Sequence, residues 1–329
     1  MNNTADIDNV SIPSRSNLER ISLDGNPFFI SKVDPGISKG LRKRLKFGQK
    51  WHREPEFMDI IESEVEIGDV VLDLGANLGY ATYFLTKFVG ASGTVFAVEP
   101  SPSNFMILRE NIKVFDQSNI VISEDIAIGG SDGECDLHIS EESNLNSFRE
   151  TKHSRRKISV TVRTLDSYFA EKNAFPNFIK MDIEGAEVDA LHGLNALLKE
   201  YPGQTIKILM ELHPGLYESA KLKEEFVRLA GAGFHVKKIV STGDKTGQFF
   251  RNLGYEPSIK YQSGTWTRFV FENVSIEHAI SAAIFYDPSR KMLRPISDFL
   301  RNPLRVLQPY VSSPKVVRAI LLERPAEKI

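Results

Sequence analysis

A glycine-rich segment, Asp73-Leu74-Gly75-Ala76-Asn77-Leu78-Gly79-Tyr80, follows a short apolar run and contains residues suited to binding a ligand. Glycines at such a place let the backbone turn tightly and let a ligand approach the N-terminus of the next helix. A carboxylate at Asp73 disfavours a pyrophosphate but suits a cationic ligand, such as the amino group and sulfonium of S-adenosylmethionine. We therefore predict that Asp73, Gly75, Asn77 and Gly79 bind the methionine part of this cofactor.

The main rival for this segment is the nicotinamide-binding fingerprint Gly-x-Gly-x-x-Gly. When it is aligned from Gly75, its second glycine falls on Asn77 and its third on Tyr80, so the match fails twice. A nicotinamide-dependent oxidoreductase stays as one alternative function. A protein that binds S-adenosylmethionine without catalysing a reaction is the other.

Two further acids follow predicted strands and can bind the nucleoside part of the cofactor. Glu99 closes the apolar run Thr94–Val98, and a carboxylate there can accept hydrogen bonds from both ribose hydroxyls. This feature is shared by dinucleotide-binding and S-adenosylmethionine-binding proteins, so it does not separate them. Asp125 follows a third predicted strand and can accept a bond from the adenine amino group, or it can be an acid in a turn.

The candidate catalytic residues stand at the ends of the fourth and fifth predicted strands. Asp182 and Glu184 follow Phe178–Met181, and His213 follows Thr205–Met210. If the bound cofactor donates its methyl group to a hydroxyl, the reaction requires an aligned acceptor and the removal of a proton from that hydroxyl. A histidine suits a base near neutral pH, so we assign this role to His213, with Asp182 as the alternative and Glu184 lining the site.

These residues also have simpler interpretations. Asp182 or Glu184 can cap the next helix, because Glu184-x-x-Glu187 resembles a capping box, and His213 can bond a loop carbonyl. The carboxylates and the imidazole can also hold a divalent metal, although our prediction includes no metal. Lys180, within the fourth strand, can pair with a site carboxylate or extend past the sheet.

The elements that must position these residues alternate between short apolar runs and helical patterns. This alternation predicts right-handed crossovers and a parallel sheet. A helix is predicted over Glu187–Leu198, and Phe234–Val240 and Trp266–Phe271 are expected to pair antiparallel because no helix is predicted between them. Another antiparallel pair is predicted at Glu134–Ile139 and Lys157–Val162, with a loop between them, Ser143–Phe148, that can overhang the acceptor or form a simple turn.

Three segments together resemble the FkbM family of S-adenosylmethionine-dependent methyltransferases: Asp73–Tyr80, Val98–Ser101 and Ile179–Glu187. The resemblance covers about Glu54–Phe271. It implies an α/β fold of the Rossmann-like class I methyltransferase type, with a seven-stranded, mostly parallel sheet whose last strand is antiparallel. It also implies S-adenosylmethionine as cofactor and transfer of a methyl group to an oxygen, with a hydroxyl on a sugar, glycan or other small metabolite as acceptor.

The predicted organisation is an N-terminal extension (1–53), a methyltransferase domain (54–273) and a basic C-terminal extension (274–329). From Pro288 onward, nine lysines and arginines stand against three acids. A basic amphipathic segment of this kind can contact an acidic membrane surface or a protein partner. The alternative is a tail packed on the protein's own surface.

The composition limits the class of protein. The chain has 329 residues, of which 41% are hydrophobic and 26% charged, and such a composition excludes wholesale disorder. A net charge of −2 argues against a dedicated nucleic-acid binder. No apolar run reaches the length of about 18 residues that a membrane-spanning helix needs, and the polar N-terminus is unlike a secretory signal. We expect a soluble cytoplasmic protein.

Overall fold

The computed structural model describes residues 15–46, 54–213, 215–263, 266–283 and 317–326. The chain divides into two compact units, with the boundary after Pro202. This boundary falls inside the predicted domain 54–273, and the division into that domain and two extensions stays a prediction. The basic stretch from Pro288 onward lies outside the described residues, apart from residues 317–326.

An N-terminal hairpin opens the described part of the first unit. Strands β1 (Leu18–Leu23) and β2 (Asn26–Ser31) pair antiparallel. Asp24 and Gly25 connect them with φ angles of 50° and 83°, which suits a two-residue turn in which both central residues have positive φ. Helix α1 (Ile37–Lys46) follows.

The rest of the first unit alternates between strands and helices up to its last short helices. In chain order these are α2 (Pro55–Glu64), β3 (Val70–Leu74), α3 (Tyr80–Val89), β4 (Thr94–Val98), α4 (Pro102–Ile112), β5 (Val121–Glu124), β6 (Ala127–Ile128), β7 (Gly133–Ser140), β8 (Ser154–Arg163), α5 (Leu165–Lys172), β9 (Phe178–Met181), α6 (Glu187–His192) and α7 (Ala196–Glu200).

Four strands of the first unit form a parallel sheet in the order β9-β3-β4-β5. Their apolar side chains are largely buried, as expected for strands covered on both faces. The predicted parallel sheet is thus confirmed for this unit. Because β3 has β4 on one side and β9 on the other, the strand order reverses there, and in open α/β sheets ligands bind at such a point.

A second, smaller sheet of the first unit has the order β6-β8-β7. Strands β7 and β8 pair antiparallel, which confirms the pair predicted from their alternating patterns. Their inward side chains, including Leu137 and Val160, form a separate apolar cluster.

The helix predicted over Glu187–Leu198 is wrong as a single element, because α6 and α7 are separate. The Asp166 carboxylate accepts the backbone N–H groups of three consecutive residues, 195–197, at 2.8–3.0 Å. These bonds satisfy the free N–H groups at the start of α7. The break therefore depends on a carboxylate from α5, about thirty residues earlier in the chain, which no local helical pattern reveals.

The N-terminal hairpin packs on α3 and α4. Phe28 stacks against Phe115 and meets the edge of Tyr83. Asn111 of α4 donates to the Phe29 carbonyl at 2.9 Å and to the Leu78 carbonyl at 2.7 Å. The hairpin is therefore fixed to the same helix that supports the turn after β3.

The second unit contains mixed helices and strands. They are β10 (Ile206–Glu211), α8 (Ser219–Gly231), β11 (His235–Thr242), α9 (Asp244–Asn252), β12 (Ile259–Ser263), β13 (Trp266–Glu272), α10 (Ile276–Ala283) and β14 (Val317–Arg324). The described strands lie in the order β12-β13-β11-β14-β10, and each pairs antiparallel with its neighbours.

The predicted sheet needs correction in this unit. The antiparallel pairing of β11 with β13 is confirmed, but α9 and β12 lie between them in the chain. The predicted seven-stranded sheet with one antiparallel last strand is not found, because β14 inserts between β10 and β11. The reason is the apolar run 319–322, which is fully buried although it lies within the basic C-terminal extension.

No helix within the described ranges combines the length and the apolar composition needed to cross a lipid bilayer.

Candidate cofactor and active site

The predicted ligand-binding residues of the first unit lie at one edge of its parallel sheet. The register pairs Leu74 with both Val98 and Met181, and Val98 with Glu124. The carboxyl ends of all four strands therefore lie at the same level. The candidate residues that directly follow these ends are Gly75, Glu99, Asp125 and Asp182, and Asp125 is exposed.

Gly75 is required by the packing of the turn after β3. Its φ is +74°, and a Cβ atom there would lie 2.0 Å from the carbonyl oxygen of Asp182. The N–H groups of Gly75 and Ala76 both donate to the Val98 carbonyl at 3.0 Å. The backbone thus passes tightly between the ends of β4 and β9, and a side chain at position 75 has no room.

Asn77 and Gly79 complete this turn, and both have positive φ, at 52° and 87°. Asparagine tolerates this conformation better than most residues. The Asn77 N–H donates to Oε2 of Glu99 at 2.9 Å, and its amide Nδ2 donates to the Ser143 carbonyl at 3.0 Å. Gly79 precedes α3, where a Cβ atom would come within 2.8 Å of Leu108 Cδ1.

Asp73 forms a buried ion pair with Lys180. The Asp73 side chain is 0% exposed, and its Oδ1 lies 3.0 Å from Lys180 Nζ. Its Oδ2 accepts a hydrogen bond from the Thr82 hydroxyl at 2.7 Å. Of the two alternatives for Lys180, pairing with a site carboxylate is therefore confirmed. The predicted contact of Asp73 with a cationic cofactor stays a prediction, because the buried carboxylate already faces a positive charge from the protein.

Lys180 also holds the turn that follows β3. Its Nζ donates to the carbonyl groups of Leu74 and Gly75 at 3.3 Å and 3.0 Å. Burial alone lowers the pKa of this lysine, but the charges of Asp73 and Asp182 outweigh burial and raise the pKa above its usual value. The ammonium group therefore stays charged at neutral pH and ties β9 to the turn.

Glu99 is the buried carboxylate at the end of β4. Its Oε1 accepts the N–H of Ser101 at 2.9 Å and the Nδ2 of Asn104 at 3.4 Å, while Oε2 accepts the N–H of Asn77. Desolvation by burial raises the pKa of Glu99 to about 7, although these bonds and the charge of Lys180 oppose the rise. Burial thus favours the protonated form of Glu99 at a higher pH than is usual for a glutamate.

Asp182 and Glu184 lie in the segment between β9 and α6, and neither occupies the N-cap position of α6. The N-cap of this helix is Ala186, without a side-chain hydrogen bond. The capping role of the two acids stays a prediction. Glu187 instead folds back, and its Oε1 accepts the N–H of Gly185 at 3.2 Å.

Glu184 adopts an uncommon backbone conformation, with φ at +48°. Its carbonyl accepts a hydrogen bond from the Ser147 hydroxyl at 2.6 Å. Left-handed conformations of residues other than glycine are costly and are often found at functional sites. The loop that contains Ser147 thus stabilises the segment carrying two of the predicted catalytic residues.

His213 lies in the second unit, directly after β10, and only 6% of it is exposed. Its Nε2 is 3.9 Å from Oε1 of Glu211, and Nη1 of Arg318 in β14 is 3.3 Å from the same oxygen. Glu211 thus carries a nearby counter-charge beside the imidazole. The role of His213 as base stays a prediction, and Arg318 is a neighbour that sequence reasoning missed.

Sequence reasoning also missed Thr82, Asn104 and the exact partners of Ser143. Asn104 Nδ2 donates to the Ser143 carbonyl at 2.9 Å, as the Asn77 amide does. The loop predicted at Ser143–Phe148 was the available signal, although it was expected beside the acceptor. The structure places its first residue against the turn after β3.

The comparison with known families decides between the possible classes of protein. The sequence model of the methyltransferase FkbM domain matches residues 73–257, which is more than half of the chain. The chain belongs to the FkbM methyltransferase family. This confirms the resemblance carried by the segments at Asp73, Val98 and Ile179.

Two curated relatives support the assignment to the FkbM family. The hexuronic acid methyltransferase AglP of Haloferax volcanii is 29% identical over 190 residues, which cover 54% of this chain and 72% of that protein. Methyltransferase 1 of Beauveria bassiana is 25% identical over 146 residues, which cover 38% of this chain and 58% of that protein. The chain thus spans less than two thirds of the second relative.

Solved structures also resemble this FkbM family member. The FkbM methyltransferase of Methylobacillus flagellatus is 14% identical with a TM-score of 0.37, and the match covers 72% of this chain and 59% of that chain. The TYW2 protein of M. jannaschii, solved with S-adenosylmethionine, is 17% identical with a TM-score of 0.34, covering 78% and 87%.

S-adenosylmethionine is the cofactor of this FkbM methyltransferase. The nicotinamide-dependent alternative is thereby set aside, in agreement with the failed glycine match at Asn77 and Tyr80. The fold of the first unit, a parallel α/β sheet with reversed strand order, is of the Rossmann-like type.

Cofactor binding to this FkbM protein is expected to strengthen as the pH rises through about 7, the pKa of Glu99. If Glu99 binds the ribose hydroxyls as predicted, its ionised form can accept a hydrogen bond on both oxygens, whereas the neutral acid uses one oxygen as a donor. Binding should therefore favour the ionised form and release protons. Affinity for S-adenosylhomocysteine should therefore rise about tenfold between roughly pH 6 and pH 8. Calorimetry at several pH values in buffers of different ionisation enthalpy measures both the affinity and the number of protons released.

The matched variant for this measurement is Glu99→Gln, which keeps the shape of Glu99 and removes its titration. Its affinity should be weaker and independent of pH in this range. Because the neutral form of Glu99 is favoured in the folded state, the free energy of unfolding of the unliganded protein should also fall as the pH rises from 4.5 to about 7. Affinity that is flat or falling with pH in the wild-type protein would contradict the assignment of Glu99.

Proposed function

We propose that the protein transfers the methyl group of S-adenosylmethionine to a hydroxyl oxygen of a sugar, a glycan or a related small molecule. Membership of the FkbM family supports methyl transfer. The relative AglP, whose name specifies hexuronic acid, supports a sugar acceptor. The structural observation that carries the proposal is the buried carboxylate of Glu99 at the carboxyl edge of the parallel sheet.

The hydrogen bonds of Glu99 fit a ribose. A carboxylate can accept about four hydrogen bonds, and the described contacts supply three. Within the described ranges, Oε2 accepts one hydrogen bond, from the Asn77 N–H, so one ribose hydroxyl can bind there directly. A second hydroxyl can bind Oε1 beside the Asn104 contact, which at 3.4 Å is the longest of the three. Under the same proposal, the backbone turn at Gly75, Asn77 and Gly79 faces the methionine part, and Asp125 faces the adenine.

The proposed chemistry requires alignment and the removal of one proton. S-adenosylmethionine supplies a methyl group bonded to a sulfonium sulfur. When the methyl group is transferred, this sulfur leaves as a neutral thioether. His213, or Asp182 as the alternative, takes the proton of the acceptor hydroxyl as the oxygen forms its bond to the methyl carbon. Glu211 Oε1 lies 3.9 Å from His213 Nε2 and also pairs with Arg318. The proposal involves no metal.

The test uses the purified protein, methyl-labelled S-adenosylmethionine and two groups of acceptors, namely glycosides of hexuronic acids and of neutral hexoses. We expect formation of S-adenosylhomocysteine together with a labelled sugar in at least one group, and no effect of a metal chelator. Mild alkali then identifies the oxygen, because an ether on a hydroxyl survives and an ester on a carboxylate is cleaved. An alkali-labile label would refute the hydroxyl acceptor, while cofactor binding without product from acceptors or cell extract would favour the non-catalytic alternative.

Replacing His213 with alanine is expected to slow methyl transfer about 100-fold or more, since general bases contribute roughly that factor, and to leave cofactor affinity nearly unchanged. Turnover and the affinity for S-adenosylhomocysteine are measured on the same preparation. His235→Ala is the matched control, because His235 also lies beside a carboxylate, 3.5 Å from Glu323, but is much more exposed. A fully active His213 variant would transfer the role of base to Asp182, which Asp182→Asn then tests.

A further inference from the structure

Asp34 is a buried acid in the segment between β2 and α1. Only 8% of it is exposed, and both carboxylate oxygens accept two hydrogen bonds each. Oδ1 accepts the N–H groups of Gly36 and Ser143, both at 3.0 Å. Oδ2 accepts the N–H of Ser38 at 2.8 Å and the hydroxyl of Ser143 at 3.0 Å. Two of these four bonds thus reach a residue 109 positions further along the chain.

Ser143 continues this contact to the cofactor site through its carbonyl group. The carbonyl accepts the side-chain amides of Asn77 at 3.0 Å and Asn104 at 2.9 Å. Both asparagines also donate to Glu99, Asn77 from its backbone N–H and Asn104 from its side chain. An unbroken chain of hydrogen bonds therefore runs from Asp34 through Ser143 to the Glu99 carboxylate.

The chemistry of Asp34 suits this contact. Burial alone raises the pKa of a carboxyl group, but the hydrogen bonds from Ser143, Ser38 and Gly36 outweigh it and hold the pKa of Asp34 below its usual value. The side chain is therefore an ionised, acceptor-only group at neutral pH. An asparagine at this position would direct an amide N–H₂ towards two donors and could not accept all four bonds.

We propose that Asp34 is a positioning residue for the ribose site. By holding the loop at Ser143, it fixes the side chains of Asn77 and Asn104. The backbone N–H of Asn77 and the side chain of Asn104 then orient Glu99 towards the hydroxyls. The inference rests on the proposed binding of the ribose by Glu99. It gives the segment after the N-terminal hairpin, which lies before the residues matched by the family, a role in cofactor affinity.

The test compares two ligands, S-adenosylhomocysteine and its analogue without the 2′ and 3′ hydroxyls, by calorimetry. In the wild-type protein the hydroxyls should increase affinity. In Asp34→Asn the affinity for S-adenosylhomocysteine should fall about tenfold, corresponding to the loss of one well-placed polar contact, while the affinity for the analogue should change much less. Turnover at saturating cofactor should change less than this affinity, because Asp34 has no described contact with Asp182, Glu184 or His213.

Asp132→Asn is the matched control. Asp132 also accepts a distant backbone N–H and a hydroxyl, those of Thr164 and Ser167, both at 2.7 Å, but it has no described contact with Asn77, Asn104 or Glu99. Its affinities for both ligands should equal those of the wild-type protein. Ser143→Ala provides a milder variant, since it removes only the hydroxyl bond to Asp34, and its smaller loss should again concern the ligand with hydroxyls.

The outcomes separate this inference from the proposed function. If Asp34→Asn weakens both ligands equally, or neither, Asp34 does not act through the ribose site and the inference is overturned, while the proposed function stands. If the wild-type protein binds both ligands equally, Glu99 does not bind the ribose, and the inference fails together with that assignment. Thermal unfolding of each unliganded variant verifies that the compared proteins are folded. If Asp34→Asn does not fold, the comparison of the two ligands on Ser143→Ala decides whether the inference holds.

Discussion

Replacing Lys180 with methionine is expected to lower the free energy of unfolding by about 3–5 kcal/mol, because it leaves a buried charge without its partner. The Asp73 carboxylate has no exposure to solvent and lies 3.0 Å from the lysine ammonium. The substitution also removes the two hydrogen bonds to the carbonyl groups of Leu74 and Gly75. Urea denaturation measures the change, provided that the transition has a single step.

The complementary variants identify the pair as the cause. Asp73→Asn should also destabilise the protein, and the double variant Asp73→Asn/Lys180→Met should lose much less than the sum of the single variants, because no unpaired charge is left. Because the pKa of Lys180 is raised, the contribution of the pair persists at neutral pH and is lost only as the pH rises above 10.5, the ordinary lysine value.

An exposed ion pair of the same unit serves as the control. Lys157 lies 2.7 Å from Asp136 on the β7–β8 pair, and both side chains are more than half exposed. Lys157→Met should leave the unfolding transition essentially unchanged, since surface pairs contribute little. Equal losses for Lys157→Met and Lys180→Met would contradict a special role of the buried pair.

Cofactor affinity is a second property that tests the role of Asp73. Asp73→Ala is expected to abolish binding of S-adenosylhomocysteine in calorimetry, either through a lost direct contact or through the collapse of the turn that Lys180 holds. Lys180→Met separates these explanations, because it keeps the Asp73 carboxylate. If Lys180→Met retains cofactor affinity while Asp73→Ala loses it, the carboxylate acts on the ligand itself.

The strands of the parallel sheet could be predicted from the sequence with bounds correct to within two residues. Val70–Leu74, Thr94–Val98 and Phe178–Met181 are found as predicted. Their signal is local, since each is a short apolar run followed by turn residues. The placement of Gly75, Glu99, Asp125 and Asp182 at one edge follows directly, because parallel strands end together.

The features that sequence reasoning missed depend on residues far apart in the chain. β14 comes more than a hundred residues after β10, its neighbour in the sheet, and its apolar run was obscured by the basic composition around it. The contact of Asp34 with Ser143 and the capping of α7 by Asp166 have the same character. Single side-chain partners across such distances have no periodic pattern that could reveal them.

Gly75 illustrates a different reason why the sequence does not reveal the role of every residue. Sequence reasoning explained Gly75 by the approach of a ligand to the turn. In the structure, the restriction comes from the protein itself, because the Asp182 carbonyl occupies the position that a Cβ atom would take. Residue type alone indicates that a side chain is excluded, but not by what. The same turn can satisfy both demands when its other face meets the cofactor.

Replacing Gly75 with alanine is accordingly expected to destabilise the protein and to abolish measurable cofactor binding. A positive φ costs a residue with a side chain about 1–3 kcal/mol, and the contact with the Asp182 carbonyl, 2.0 Å from the ideal Cβ position, adds to this cost. Relief of the contact must separate the ends of β3 and β9, which are joined by the bond from the Asp182 N–H to the Leu74 carbonyl at 3.2 Å. The turn after β3, where the cofactor is predicted to bind, would thus lose its shape.

Gly25→Ala isolates the contribution of the clash. Gly25 has a similar φ of +83° in the N-terminal hairpin, but no atom lies within 4 Å of its ideal Cβ position. The Gly25→Ala variant should lose only the stability that a positive φ costs an alanine, and it should keep the wild-type affinity for S-adenosylhomocysteine. Urea denaturation and calorimetry on both variants make the comparison. If the two substitutions cost the same stability and both proteins still bind the cofactor, the close approach of β9 to the turn is not what requires glycine at position 75.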